Sequence, residues 1–258
     1  MVSSLPFRTL ATRVRRALGR TRRTALEWAA GARLLVQGAN GGGRSLVVVG
    51  DSHAVLLVEG VMPSRRVVHV DSSTTLVYLG PRLMHSVARD DLPAWSRRLI
   101  RAWSRSPLAR GGRTVVVLLG EIDLRCHLAK PGRSDPAALQ DLVDAFLVRV
   151  RSLLPVLGAD GHVLVCGPNP PSSVYESDEA FPVVGDVDER VAILDRFCAT
   201  LVDRIDAAGD GRLRFLDVRP LLAGPDGQLR SDLTFDGCHV NAAGAARLRD
   251  RLASLDAD

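Results

Sequence analysis

From Ser45 onward the chain alternates short apolar runs with longer stretches in which apolar residues return every three or four positions. The runs Ser45 to Val49, Val67 to Val70, Thr75 to Leu79, Thr114 to Leu119, His162 to Cys166 and Leu213 to Val218 predict strands. Runs such as "TVVVLL" lack polar alternation, as expected of strands covered on both faces. Between them, Ala94 to Ser106 and Ala137 to Leu154 read as amphipathic helices. Asp188 to Ala208 carries Val191, Leu194, Phe197, Leu201 and Ile205 at helical spacing, and Ala242 to Leu255 forms a last helix. This alternation is that of βαβ units, and it predicts an α/β fold with a central parallel sheet. No repeat of 20 to 50 residues is present, which argues against a solenoid.

The glycine-rich stretch Gly38-Ala-Asn-Gly-Gly-Gly43 divides the chain into a basic extension, residues 1–43, and a main domain, residues 44–258. In the extension eight arginines, Arg8, Arg13, Arg15, Arg16, Arg20, Arg22, Arg23 and Arg33, face one acid, Glu27. Val14, Leu18, Ala25, Trp28 and Ala29 form a weak apolar stripe, so this segment is either a solvated helix or an arm that touches a polyanion or membrane surface weakly. Nothing in it specifies a nucleic acid. The net charge of +5 is almost wholly arginine, since Lys130 is the only lysine, and a compositional bias explains it as readily as a polyanionic partner. No apolar run approaches the roughly 18 residues of a membrane helix, and arginines interrupt any signal-like segment in Met1 to Arg23. Cys126, Cys166, Cys198 and Cys238 are widely spaced, without a C-x-x-C pair. A cytoplasmic protein with reduced thiols is expected.

Three polar clusters follow predicted strands or precede the last helix: Gly50-Asp51-Ser52-His53, Gly120-Glu121-Ile122-Asp123 and Asp236-Gly237-Cys238-His239. In a parallel sheet such positions gather at one rim, beyond the carboxyl ends of the strands. The first cluster is either an ordinary turn or one that exposes Ser52 as a nucleophile. A serine hydroxyl needs an imidazole to take its proton, and the imidazole needs a carboxylate to fix its tautomer. Ser52, His239 and Asp236 supply those three roles. In a turn entering a helix, Asp236 can fold back on the Nδ1 side of His239, which leaves Nε2 to face Ser52.

In order, spacing and strand context, "GDSH", "GEID" and "DGCH" resemble blocks one, three and five of the SGNH (GDSL-like) hydrolases, over Ser45 to the C-terminus and not the basic extension. The resemblance implies a flavodoxin-like αβα sandwich that hydrolyses esters through an acyl-serine, with Ser52 as nucleophile, His239 as base and Asp236 as orienting acid. It implies an oxyanion hole formed by the Ser52 amide, a glycine amide best matched by Gly80, and an asparagine side chain in block three. That asparagine position is Ile122 here, which cannot donate a hydrogen bond. The Gly-Glu-x-Asp form is similar to a variant among carbohydrate-directed esterases, which points to a small-molecule or glycan ester, with an O-acyl (acetyl) group on a carbohydrate favoured.

Asp51, Glu121, Asp123 and Arg125 are candidate substrate or charge contacts, although Arg125 could instead pair with Glu121 or Asp123. Asn241 could cap the last helix or polarise the site. His53 could pack inward or line the rim. Cys126-His127 and Cys238-His239 would have to chelate through adjacent residues, unlike ordinary zinc spacing, so neither metal nor organic cofactor is expected. The proline- and serine-rich segment Pro168 to Val187, with Tyr175 and Phe181, is a lid, a substrate wall or a plain connection. An acyltransferase using the same triad, or a non-catalytic binding module keeping the fold, are the alternatives.

Overall fold

The computed structural model describes residues 46–55, 68–70, 74–106, 109, 112–175 and 181–255. The basic extension predicted at 1–43 lies outside them. Six strands form one sheet: β1 (Leu46–Gly50), β2 (Val68–Val70), β3 (Thr74–Tyr78), β4 (Arg113–Leu118), β5 (Gly161–Cys166) and β6 (Leu213–Leu216). Their spatial order is β2-β3-β1-β4-β5-β6. All neighbouring pairs except β2·β3 are parallel. Numbered among themselves, the five parallel strands run 2-1-3-4-5, the flavodoxin-like order, whose switch point lies between β1 and β4.

The expected central parallel sheet is present, and the edge strand β2 is added to it antiparallel to β3, Val68 opposite Val77. The chain leaves no other choice: only three residues separate the two strands, whereas a parallel return needs a crossover of a dozen or more.

Nine α-helices are present among the described residues. They are α1 (Ser52–Val55), α2 (Met84–Asp90), α3 (Ala94–Ser104), α4 (Glu121–Asp123), α5 (Pro136–Arg151), α6 (Leu154–Leu157), α7 (Val187–Ala207), α8 (Arg219–Leu222) and α9 (Ala242–Leu255). α4 runs on into a π-helical turn, Leu124–Leu128. The helix expected over 137–154 is broken into α5 and α6, with Pro155 in the first turn of α6, where its missing N–H costs no bond.

The period-two geometry of the strands explains their unbroken apolar runs. Val47, Val49, Val77, Val115, Val117, Val163 and Val165 enter one core beneath α2, α3, α5, α6 and α7, together with Trp103, Phe146 and Phe197. Val48, Leu76, Val116, Leu118, Leu164 and Cys166 enter a second core under α1, α8 and α9. Both faces are thus dry, and the structure is an αβα sandwich. None of the described helices is long and apolar enough to cross a membrane.

Gly50 ends β1 directly opposite Leu118. A Cβ there would collide with the Leu118 carbonyl oxygen and lie 2.7 Å from the Ala54 Cβ, so glycine alone lets α1 pack over β4. Gly50→Ala is expected to cost about 1–3 kcal/mol through overpacking, read as a lower urea midpoint at unchanged slope.

Candidate active site

The switch point carries the two clusters predicted to meet there. β1 delivers Asp51 and Ser52 at the start of α1, and β4 delivers Gly120 and Glu121 at the start of α4. The third cluster arrives from the turn before α9. Ser52 Oγ lies 2.8 Å from His239 Nε2, and His239 Nδ1 lies 2.7 Å from Asp236 Oδ2. With Nδ1 protonated toward the carboxylate, Nε2 is an acceptor aimed at the hydroxyl.

Local backbone chemistry fixes that turn. Asp236 Oδ1 accepts the amides of Cys238 at 2.9 Å and His239 at 2.7 Å, so one carboxylate holds both the main chain and the ring of His239. Thr234 Oγ1 accepts from the Gly237 amide at 2.9 Å and donates to the His239 carbonyl at 2.7 Å. Gly237 has φ +78°, and a Cβ on it would fall on the Val174 carbonyl. Asn241 caps α9, its Oδ1 accepting from Ala243 at 3.0 Å and Gly244 at 3.2 Å, which settles its role as structural.

Burial alone would raise the Asp236 carboxyl, but hydrogen bonds from His239 and Cys238 hold it below its ordinary value. His239 is lowered, first by burial and then by the neighbouring His53, against the pull of Asp236. The triad is therefore a charged carboxylate beside a neutral imidazole.

Among the described residues, the Ser52 and Gly80 amides donate to no protein group. Gly80 follows β3 in a left-handed conformation, φ +78°, beside the Leu79 amide that bonds Gly50. Ile122, in the place of a third donor, is buried and 3% exposed.

The four candidate substrate or charge contacts are buried on internal partners. Asp51 is fully buried, and its Oδ1 accepts from the His53 amide at 2.9 Å and faces His53 Nδ1 at 3.0 Å. Asp123 accepts from the Met84 amide at 2.6 Å and the His85 amide at 3.2 Å and so clamps the start of α2. Burial pushes its carboxyl up to about 7. Glu121 and Arg125 are paired one helical turn apart, Nε to Oε1 at 2.7 Å and Nη2 to Oε2 at 3.2 Å. Arg125 Nη1 also donates to Tyr175 Oη at 2.5 Å and the Phe181 carbonyl at 2.7 Å, and the guanidinium lies 4.6 Å from the Tyr175 ring centre. Arg125 thus ties Tyr175 and Phe181 to the turn after β4, and the Val184 amide bonds the Arg125 carbonyl at 2.8 Å. Four of its five N–H groups bond inside the protein, and the side chain is buried.

Two features were not legible as site residues. Phe235 stacks nearly parallel on His239, 5.8 Å between centres and 8° between planes, while 57% exposed. His53 stacks on the same ring from within, at 4.6 Å. Neither contact has a sequence signal, because each depends on how the last turn folds over α1. All four cysteines are buried free thiols. The potential ligand atoms of His53, Cys238 and His239 lie within 4.8 Å of one another, but the imidazole nitrogens already face Asp51, Glu121, Ser52 and Asp236.

No protein-family model matches the chain, and no curated protein matches it in sequence. Solved structures do match. A candidate platelet activating factor from Streptococcus pneumonia is 14% identical with TM-score 0.53, over 95% of this chain and 99% of the other. A GDSL-like lipase from Bacteroides thetaiotaomicron is 12% identical, TM-score 0.48, over 89% and 98% of the two chains. A carbohydrate acetylesterase from Sinorhizobium meliloti is 18% identical, TM-score 0.45, over 83% and 100%. The first of these shares the fold of this chain, a flavodoxin-like αβα sandwich.

Replacing Arg125 by Leu strands the buried Glu121 charge and is expected to cost about 3–5 kcal/mol in urea unfolding. The double variant Arg125→Leu, Glu121→Leu should recover part of that loss.

Proposed function

We propose that this protein is a serine esterase, and that its substrate is an O-acyl, most simply O-acetyl, group on a carbohydrate or glycoconjugate. The observation that carries the reading is the unbroken line from Ser52 Oγ through His239 to Asp236, 2.8 Å and 2.7 Å long, at the switch point of the sheet. In this mechanism Ser52 attacks the ester carbonyl as His239 Nε2 takes its proton, and Asp236 stabilises the imidazolium that forms. The Ser52 and Gly80 amides receive the oxyanion. His239 then protonates the leaving alcohol, and water, deprotonated by the same imidazole, cleaves the acyl-Ser52 bond.

Two features bear on rate and substrate. The side-chain donor absent at Ile122 is worth about 100-fold to 1000-fold in other acyl-transfer enzymes, so turnover is expected to be slow. The exposed Phe235 face beside His239 offers an apolar platform for a sugar ring while the ester reaches Ser52. In the glycan reading, Phe235→Ala raises KM for acetylated oligosaccharides more than for p-nitrophenyl acetate.

The test is release of acetate from p-nitrophenyl acetate and acetylated oligosaccharides, with and without added sugar acceptors. Wild type should release acetate and Ser52→Ala should not. Asp236→Asn should fall by about 10⁴-fold, as loss of the orienting carboxylate does in serine proteases. Acetylated acceptor in place of free acetate would point to acyl transfer, and no turnover by folded wild type would overturn the esterase reading. The base must be unprotonated, and its folded value lies below the ordinary 6.5. The acid limb of kcat/KM should therefore fall away only below pH 6.5, as His239 gains its proton.

A further inference from the structure

Behind His239, charged side chains alternate through the protein interior. His53, 2% exposed, lies flat against the His239 ring, with centroids 4.6 Å apart and 18° between planes. Its Nδ1 is 3.0 Å from Asp51 Oδ1, and its Nε2 is 3.4 Å from Cys238 Sγ and 3.6 Å from Glu121 Oε2. A neutral imidazole has one donor and one acceptor nitrogen. Here the Asp51 carboxylate is at hydrogen-bond distance from Nδ1, and the Glu121 carboxylate lies 3.6 Å from Nε2, just beyond the Cys238 thiol. Two negative charges flanking one buried ring favour its protonated form. Beyond Glu121 comes Arg125, at 2.7 Å. The signs thus run Asp51 negative, His53 positive, Glu121 negative, Arg125 positive, so each buried charge has an opposite neighbour.

The other groups near the two rings are few. Tyr78 on β3 and Asp123 on α4 lie within electrostatic reach of Asp51. His239 has Asp236 at one edge, Ser52 at the other, Glu121 within electrostatic reach and the uncharged Phe235 ring on its outer face.

We infer that His53 is a fixed imidazolium and a positioning residue, its charge on the inner face of His239 keeping the catalytic ring a free base in mildly acid solution. The inference rests on the reading of His239 as general base. Burial by itself would lower His53, but Asp51 above all, with Cys238, raises it well above its ordinary value. The effect on the reaction has two sides. His239 takes the Ser52 proton with less driving force, and returns it to the leaving alcohol more readily. The range over which the triad is charged for attack extends toward acid.

The test is nitrogen-detected imidazole NMR of the full-length protein between pH 5 and 8, on wild type and His53→Gln, beside the pH profile of p-nitrophenyl acetate hydrolysis. In wild type both His53 nitrogens should be protonated throughout, and the His239 midpoint should lie below 6.5. In His53→Gln the His239 midpoint should rise by about 0.6 unit or more, the shift for two unit charges 4.6 Å apart even at the dielectric of water. Activity on the acid limb should fall about fourfold in step. A single neutral His53 tautomer at pH 7, or an unmoved His239 midpoint in a folded His53→Gln protein, overturns the inference. Should His53→Gln fail to fold, the wild-type His53 spectrum decides alone: two protonated nitrogens support it and a neutral tautomer overturns it. A doubly protonated His53 and a shifted His239 in a protein that hydrolyses no ester would uphold the charge arrangement while the esterase reading fell.

Discussion

At the end of β1 a side chain on residue 50 would collide with the Leu118 carbonyl, and this steric constraint sets the rest of the site. With glycine there, β1 and β4 stay paired to their last residues, and α1 and α4 start side by side at the point where the strand order reverses. Ser52 then rises at the rim while Asp51, His53 and Glu121 drop beneath it. The turn before α9 closes over them, with Asp236 holding two amides and one ring of the same loop. The close approach at Gly50 thus brings the starts of α1 and α4 together at the site.

The polar layer under the triad has a structural task as well as an electrostatic one. Arg125 faces inward to Glu121 and outward to Tyr175 and Phe181, so the segment after β5 is fastened to the turn after β4. Arg190 adds a second fastening from α7, through the Ser172 carbonyl at 3.1 Å. A buried charge with an opposite neighbour is costly to break at one end, which favours a rigid floor beneath His239.

Much of the fold could be read from the chain because strands buried on both faces leave unbroken apolar runs and long amphipathic helices leave a regular period. Val115 and Val116 enter opposite cores, yet both are valine, and the run reads as a strand either way. α1, α2, α4 and α8 carry too few residues to show a period. The direction of β2 depended on a three-residue connection rather than on its composition. At the site, the grouping of Ser52, Asp236 and His239 was legible because a hydroxyl–imidazole–carboxylate line demands fixed residue types, two of them in a fixed local order. Asp51, Glu121, Asp123 and Arg125 were candidate substrate or charge contacts, and they are buried on internal partners, Arg125 in the pairing with Glu121 that its spacing also allowed. Nothing in a linear pattern distinguishes a carboxylate at the rim from one a single turn deeper. The same depth hid the stack of His53 on His239, which joins residues 186 positions apart in the chain.

The most direct test of the account is covalent: treat the protein with a fluorophosphonate, measure its intact mass, and map the site of attachment. A single phosphonyl adduct on Ser52, absent from Ser52→Ala and His239→Ala, is expected. A folded wild-type protein that gains no mass, or carries its adduct on another serine, would contradict it.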